Sequence, residues 1–165
     1  VSAAESDSRL MRRAEREITD PAILDEILRE ARILFLGLRD EKAPYVLPVC
    51  FGHEGGTLYV HSAMAGTKID IMEVHPIVGF SACTELVVKS GASACDFSSQ
   101  ARSVIGTGRA RIVTEPEERI RGLDAIMRHY AIGPAAEKPI YKPATLARTC
   151  VIAIRIDSLR GKRTG

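Results

Sequence analysis

The chain has no tryptophan, and aromatic residues make up only 5% of its 165 positions. A base-stacking platform for single-stranded nucleic acid needs more aromatics on one face than this. The formal charge is +2, so no strong basic field points to a polyanion. Four cysteines are present, at Cys50, Cys83, Cys95 and Cys150. None forms the close Cys-x-x-Cys pair of a zinc or iron–sulfur site. A chain with 45% hydrophobic residues has core enough to fold without a disulfide framework. The cysteines are therefore expected as reduced thiols, mostly buried in strands. No apolar run approaches the roughly 18 residues of a membrane span. Val1 to Leu10 lack the apolar stretch of a signal peptide. These residues read as a disordered leader before one domain over 11–165, and the expected location is cytoplasmic.

What remains is an ordinary globular composition with clear local patterning. Asp20-Pro21 is a helix start, with a capping carboxylate followed by a proline at the first helical position. Ile23, Leu24, Ile27, Leu28 and Ala31 then recur at helical spacing. Ile33 to Leu38 reads as a first strand. Tyr45 to Phe51 reads as a second, with Pro48 leaving an open or bulged edge. Gly55-Gly56 turns the chain into a third strand over Thr57 to Ser62. A short helix follows Gly66-Thr67-Lys68 and stops before His75-Pro76. Ile77 to Val88 and Arg102 to Val113 are long strands, with Ser90 to Gln100 as the loop between them. Gly106 and Gly108 permit bending or close approach. Thr114-Glu115-Pro116-Glu117 has the form of a capping box opening a helix, whose late His129 suits its C-terminus. Gly133 to Thr145 connects to a last strand, Thr149 to Ile156, and Arg160 to Arg163 is a basic tail. Strands joined by tight turns predict a mostly β, largely antiparallel sheet with peripheral helices. About six strands can close into a small barrel.

Few motifs carry chemistry. No Gly-x-Ser-x-Gly elbow or His-Glu-x-x-His is present, so hydrolysis has no support. Gly106-Thr107-Gly108 lacks the third glycine and the following helix of a dinucleotide loop. No metal is expected, because the spacing of His61 and His75 fits no familiar zinc pattern. The end of the third strand is more informative. His61 and Ser62 precede Gly66-Thr67-Lys68, which can supply a cation, hydroxyls and helix N–H groups to a phosphate. Lys68 alone also reads as a solvated helix residue, and His61 as a ligand contact or a satisfied structural histidine.

Taken in order, these blocks resemble the FMN-binding split-barrel proteins related to pyridoxamine 5′-phosphate oxidase. The resemblance rests on Pro44-Tyr45-Val46-Leu47-Pro48-Val49-x-Phe51-Gly52, Leu58-Tyr59-x-His61-Ser62-Ala63-x-x-Gly66-x-Lys68 and Arg102-Ser103-Val104-Ile105-Gly106-x-Gly108. Met127 to Tyr130 and Val151 to Ile156 also match. The pattern is most similar to the nitroimidazole-resistance-like branch. It implies a six-stranded antiparallel split barrel and a homodimer with FMN in clefts at the subunit interface. By position, Val46, Leu47, Pro48 and Val49 run beside the flavin ring, and His61 and Ser62 lie near the ribityl chain and phosphate. Thr67 and Lys68 hold the phosphate, and Ser103 is a polar neighbour of the flavin. True pyridoxamine phosphate oxidases carry Arg where Thr67 stands, and their C-terminal Trp and Arg pattern is absent here. The implied activity is an FMN-dependent oxidoreductase acting on a small organic compound such as a nitro-aromatic. The alternatives on the same fold are a non-enzymatic flavin-binding or storage protein, or a binder of haem or a deazaflavin.

Overall fold

The computed structural model describes residues 11–131 and 139–164. The expected leader and residues 133–138 of the expected connection lie outside them. In chain order the elements are β1 (Glu17–Ile18), α1 (Pro21–Glu30), β2 (Leu34–Leu38), β3 (Tyr45–Val49), β4 (Gly52–Glu54) and β5 (Thr57–Ala63). Then come α2 (Thr67–Val74), β6 (Ile77–Cys83), β7 (Val87–Lys89), β8 (Ser98–Ile112), α3 (Pro116–Tyr130), α4 (Pro143–Leu146) and β9 (Thr149–Thr164). Among the described residues no helix is long and apolar enough to cross a membrane.

The strands form one antiparallel sheet in the order β3-β2-β6-β8-β9-β5-β4, with β1 beside β9 and β7 beside β8. The first and last strands of this path are consecutive in the chain, separated only by Cys50 and Phe51. Three Cα–Cα steps of about 3.8 Å bound the gap between them. The hydrogen-bonded ladder is therefore open, yet its ends are tied by one run of chain, and the sheet curls into a split barrel. Among the described residues nine strands are present by hydrogen bonding. They reduce to the expected six when β3 and β4 count as halves of one strand and the short β1 and β7 are set aside. Pro48 suits this seam, because it has no N–H to offer an outer partner. The Phe51 N–H, which has left the ladder, donates to the Tyr130 hydroxyl at 3.1 Å. That hydroxyl in turn donates to the Arg32 carbonyl at 2.7 Å.

Period-two alternation builds the interior. Leu34, Leu36 and Leu38 of β2 meet Val78, Phe80 and Ala82 of β6, Leu58 and Val60 of β5, and Ile152 and Ile154 of β9. Leu24, Ile27 and Leu28 of α1 and Ile69, Ile71 and Met72 of α2 join the same cluster. Asp20 caps α1, accepting from the Ala22 N–H at 2.9 Å. The two helices sit at opposite ends of β8. Glu26 and Glu30 of α1 bind Arg102, whereas α2 shares a slot with Ala110 and Ile112.

A second cluster lies outside the barrel, where Leu123, Ala125 and Ile126 of α3 cover Tyr59, Val151 and Ala153. Each large apolar side chain so covered contributes about 1.5–3 kcal/mol. Covering on both faces explains the uninterrupted burial of Cys150 to Ile154. The helix approaches closely because two glycines permit it. A Cβ at Gly52 would overlap the backbone of Ala125 and Ile126, and one at Gly122 would overlap the Tyr59 ring.

Several expectations are corrected. The strand from Ile77 ends at Cys83, and β7 pairs only with the start of β8. The cause is Thr84, whose hydroxyl accepts from the Arg102 N–H at 3.0 Å and displaces a regular rung. The loop expected over Ser90 to Gln100 is correspondingly shorter, because β8 begins at Ser98. The basic tail is strand: β9 continues past Ile156 to Thr164, after a register shift that skips Asp157. The capping box at Thr114 does not form; Glu115 is the N-cap residue and makes no side-chain cap. His129 does not cap its own helix but sits 2.7 Å from the Ala31 carbonyl. Only Cys150 is buried; Cys50, Cys83 and Cys95 are exposed.

Candidate functional site

At one end of the barrel, β5 delivers Ser62 and then turns into α2. The turn is made by Gly66, whose φ of 131° favours glycine. The N–H groups of Thr67 and Lys68 open α2 without a place in its ladder, those of Ile69 and Asp70 donate to the Gly66 carbonyl, and no side chain caps the helix. Lys68 stands in this first turn, half-buried, and has no ion-pair partner among the described residues. Ser62 points inward beside Val60 and is buried, and its Oγ has no hydrogen-bond partner. An orphaned buried hydroxyl is costly and marks a place for a missing acceptor or donor. Cys150 lies directly across from Ser62 on β9. Burial pushes the Cys150 thiol up, while the charges of Arg119 and Lys68 oppose the rise. The β5–α2 connection thus brings Ser62, Thr67, Lys68 and the opening N–H groups of α2 to one end of the barrel, donor types that suit a phosphate.

The other expected residues lie elsewhere. His61 alternates to the opposite face of β5 from Ser62 and lines a groove with Leu123, Met127 and Thr149. On β3 only Val46 and Pro48 face outward. Leu47 and Val49 pack against the interior, so only their backbones can reach a ligand outside the barrel. Ser103 lies half-buried on β8, between Cys83 and Lys162. It shares the outer sheet face with Val46 and Pro48, three strands away. One chain therefore joins Ser62, Thr67 and Lys68 but leaves Val46, Pro48 and Ser103 spread along a bare sheet face.

That face holds features not singled out from the sequence. Phe35 is 46% exposed, Val46 63% and Ile105 53%. Phe35 is aligned with Pro48 on one side and Ser81 on the other, and Ser81 with Ile105. Beside this row, Gly37 and Gly79 are aligned and floor a shallow depression with Thr107. A Cβ on Gly79 would meet no atom within 4 Å. The signal was in the sequence: Leu34, Leu36 and Leu38 face inward, which leaves Phe35 and Gly37 to face out.

An antiparallel split barrel with one outer face sealed by a helix and the other bare defines the fold class. Residues 20–163 match the family described as pyridoxamine 5′-phosphate oxidase, and the chain belongs to it. A candidate 5-nitroimidazole antibiotic resistance protein from Bacteroides thetaiotaomicron is similar in structure, with TM-score 0.79 and 28% identity. The match covers 90% of this chain and 87% of that one. The flavocytochrome Anf3 from Azotobacter vinelandii shares the fold, with TM-score 0.80 and 22% identity, over 98% of this chain and 75% of its own. So does an FAD- and haem-binding protein from Mycobacterium smegmatis, with TM-score 0.76 and 21% identity, over 90% and 73%. No curated protein matches the chain.

Proposed function

We propose that the protein binds FMN and acts as an oxidoreductase on a small organic compound, with a nitro-aromatic as the leading substrate class. The observation that carries the reading is the cradle. In a member of this family, an uncapped α2 N-terminus and an ion-unpaired Lys68 lie beside a buried, partnerless Ser62 hydroxyl. The phosphate of FMN supplies the anion and acceptors that this set of donors lacks. The nitroimidazole-resistance neighbour supports the substrate class, and two neighbours are named for a flavin-containing cofactor set. When bound, the flavin supplies the electron transfer, and the protein supplies orientation and exclusion of water.

Ser62, Thr67 and Lys68 hold the phosphate in this reading, and the ring extends toward Val46, Pro48 and Ser103. His61 approaches from the other face of β5. These residues do not converge within one chain, which favours a homodimer in which a second copy covers the bare face and completes the cleft. Contiguous exposed apolar residues such as Phe35, Val46 and Ile105 suit that role.

The test is Lys68→Ala titrated with FMN and with riboflavin. One charge-assisted hydrogen bond is worth about 1.5–3 kcal/mol, so FMN affinity is expected to fall roughly ten- to hundredfold. Riboflavin affinity is expected to stay unchanged. Equal losses for both ligands reject the phosphate role. A haem spectrum without a flavin spectrum in the purified protein rejects the cofactor.

A further inference from the structure

The chain between β6 and β8 leaves the barrel. β6 makes its last rung where Cys83 meets Ser103, yet β8 begins earlier, at Ser98. At about 3.4 Å per residue, the overhang from Ser98 to Ser103 is about 17 Å long. β7 pairs with it, Val87 with Gln100, Val88 with Ser99 and Lys89 with Ser98, and the two make a ribbon. The ribbon is specified at both ends. At its base the Thr84 N–H and hydroxyl donate to the Arg102 carbonyl at 2.9 and 3.2 Å, and the Arg102 side chain binds Glu26 and Glu30 of α1. At its tip Asp96 accepts from the Ser93 N–H and hydroxyl at 3.0 and 2.8 Å, and a Cβ on Gly91 would overlap Asp96.

Nothing among the described residues covers this ribbon. Val87 is 54% exposed and Val88 58%. Consecutive strand residues point to opposite faces, so both faces are bare. Leu86 and Phe97, which flank the two strands, are also more than half exposed. A two-stranded ribbon on its own is marginally stable in water, and a contiguous exposed apolar segment marks an interaction surface. Between Thr84 and Ser98 the only charged residues are Glu85, Lys89 and Asp96, so the ribbon carries no field for a polyanion. The face it continues identifies its partner. Residues paired across strands share a face, so Val88 lies with Ser99. Alternation along β8 carries that face through Ala101 and Ser103 to Ile105, with no register shift on the way. The ribbon thus extends the bare outer face marked by Phe35, Val46 and Ile105. A two-fold contact uses the same patch on both subunits. A patch made of a flat floor and a projecting ribbon can complement itself, each floor receiving the other copy's ribbon.

We propose that the ribbon is a dimerisation arm whose partner is a second copy of this chain. The inference rests on the homodimer proposed above and names the element that makes it. Residues 86–97 of each copy lie across the bare face of the other, and Val88 and Phe97 are covered there.

The chain has no tryptophan, so Phe97→Trp puts a single indole on the ribbon of the full chain. Where light scattering gives a dimer, its emission is expected to be blue-shifted, as for a buried indole. Dilution, or Phe35→Asp added to it, is expected to shift the emission red together with the loss of the dimer. In a second variant, Val88→Asp, the dimer dissociation constant is expected to rise about tenfold or more. Both positions are exposed in the single chain, so the fold persists, and thermal melts check it. Solvent-exposed emission in a measured dimer overturns the arm, as does an unchanged dissociation constant in Val88→Asp; the homodimer then survives without it. A monomer mass at every concentration overturns the homodimer itself, and the arm with it. Blue-shifted emission that dilution does not change gives the ribbon to its own chain, and a blue shift that only phosphatidylcholine vesicles induce gives it to a membrane. Either outcome also overturns the proposal.

Discussion

The outer face of the barrel divides into two halves that differ in what covers them. Over β5 and β9, α3 seals Tyr59, Val151 and Ala153. Over β3, β2, β6 and β8, Phe35, Val46 and Ile105 lie open. The glycines record the same division. Gly52 and Gly122 sit where a methyl group would strike α3 or Tyr59, while Gly79 looks into empty space. Glycine on the covered half makes room for the chain's own helix. On the bare half it makes a flat floor that this chain does not fill, which is the shape expected of a surface awaiting a ligand ring or a second copy.

Substitutions can separate the halves. Gly52→Ala is expected to have the largest effect. Its Cβ collides with helix backbone rather than with a movable side-chain tip, so α3 must shift. Overpacking of this kind costs about 1–3 kcal/mol, or more where backbone blocks it. Urea unfolding checks this, and a midpoint within error of wild type would show that α3 does not seal this half. Next comes Phe35→Asp, which places a charge at the centre of the bare face. The monomer fold is expected to persist, while the affinity of the proposed dimer falls by about 2 kcal/mol or more if Phe35 is a central interface residue. Light scattering over a dilution series reads it, and an unchanged dimer would move the interface elsewhere.

A smaller effect concerns pH. His53 and His129 flank the edge of the covered half, and burial holds both below the usual histidine range. For His53 the carboxylate of Asp25, 3.0 Å away, opposes that shift without cancelling it. The unfolded chain takes up these protons near pH 6.5, before the folded one does. Stability is therefore present above that pH and declines as pH falls through 6.5 toward the lower folded values. Melting temperatures between pH 7.5 and 5 are expected to drop, with a shallower slope in His53→Gln. The smallest effect is Gly79→Ala, expected within about 0.5 kcal/mol of wild type in the unfolding of the monomer. The same substitution sharpens the comparison if it weakens the proposed dimer or flavin binding, since a Cβ there meets no atom of the described residues within 4 Å.

Much of this architecture was readable from local chemistry. Asp20-Pro21 starts α1, and Gly55 and Gly56, with φ of 57° and 75°, make the two-residue turn their type favours. Leu34, Leu36 and Leu38 announced an inward face. The misreadings share a cause. Thr84 ends a ladder with its side chain, and the skip at Asp157 lets β9 resume its inward alternation at Leu159 after Ile156. Both depend on partners far along the chain. The candidate cradle could be named because Ser62, Thr67 and Lys68 are near neighbours in sequence. The pairing of Arg109 with Arg155 could not, because only strand register brings the two together. The bare face was half legible: alternation gives its residues, but nothing local says that no helix will cover them.

The seam between β3 and β4 has a mechanical consequence. A closed barrel carries its ladder around the whole circumference, but this one interrupts it between β3 and β4. There a single phenol from the last residue of α3 takes the Phe51 amide and holds the Arg32 carbonyl. Tyr130 works like the slider of a zip, tying the β3–β4 link to the segment that enters β2. Any motion that lifts the end of α3 also frees the seam, so the barrel's breathing is coupled to the helix that covers its other half. A ligand or partner pressing on α3 would thus tune how readily the interior opens, without touching the interior itself.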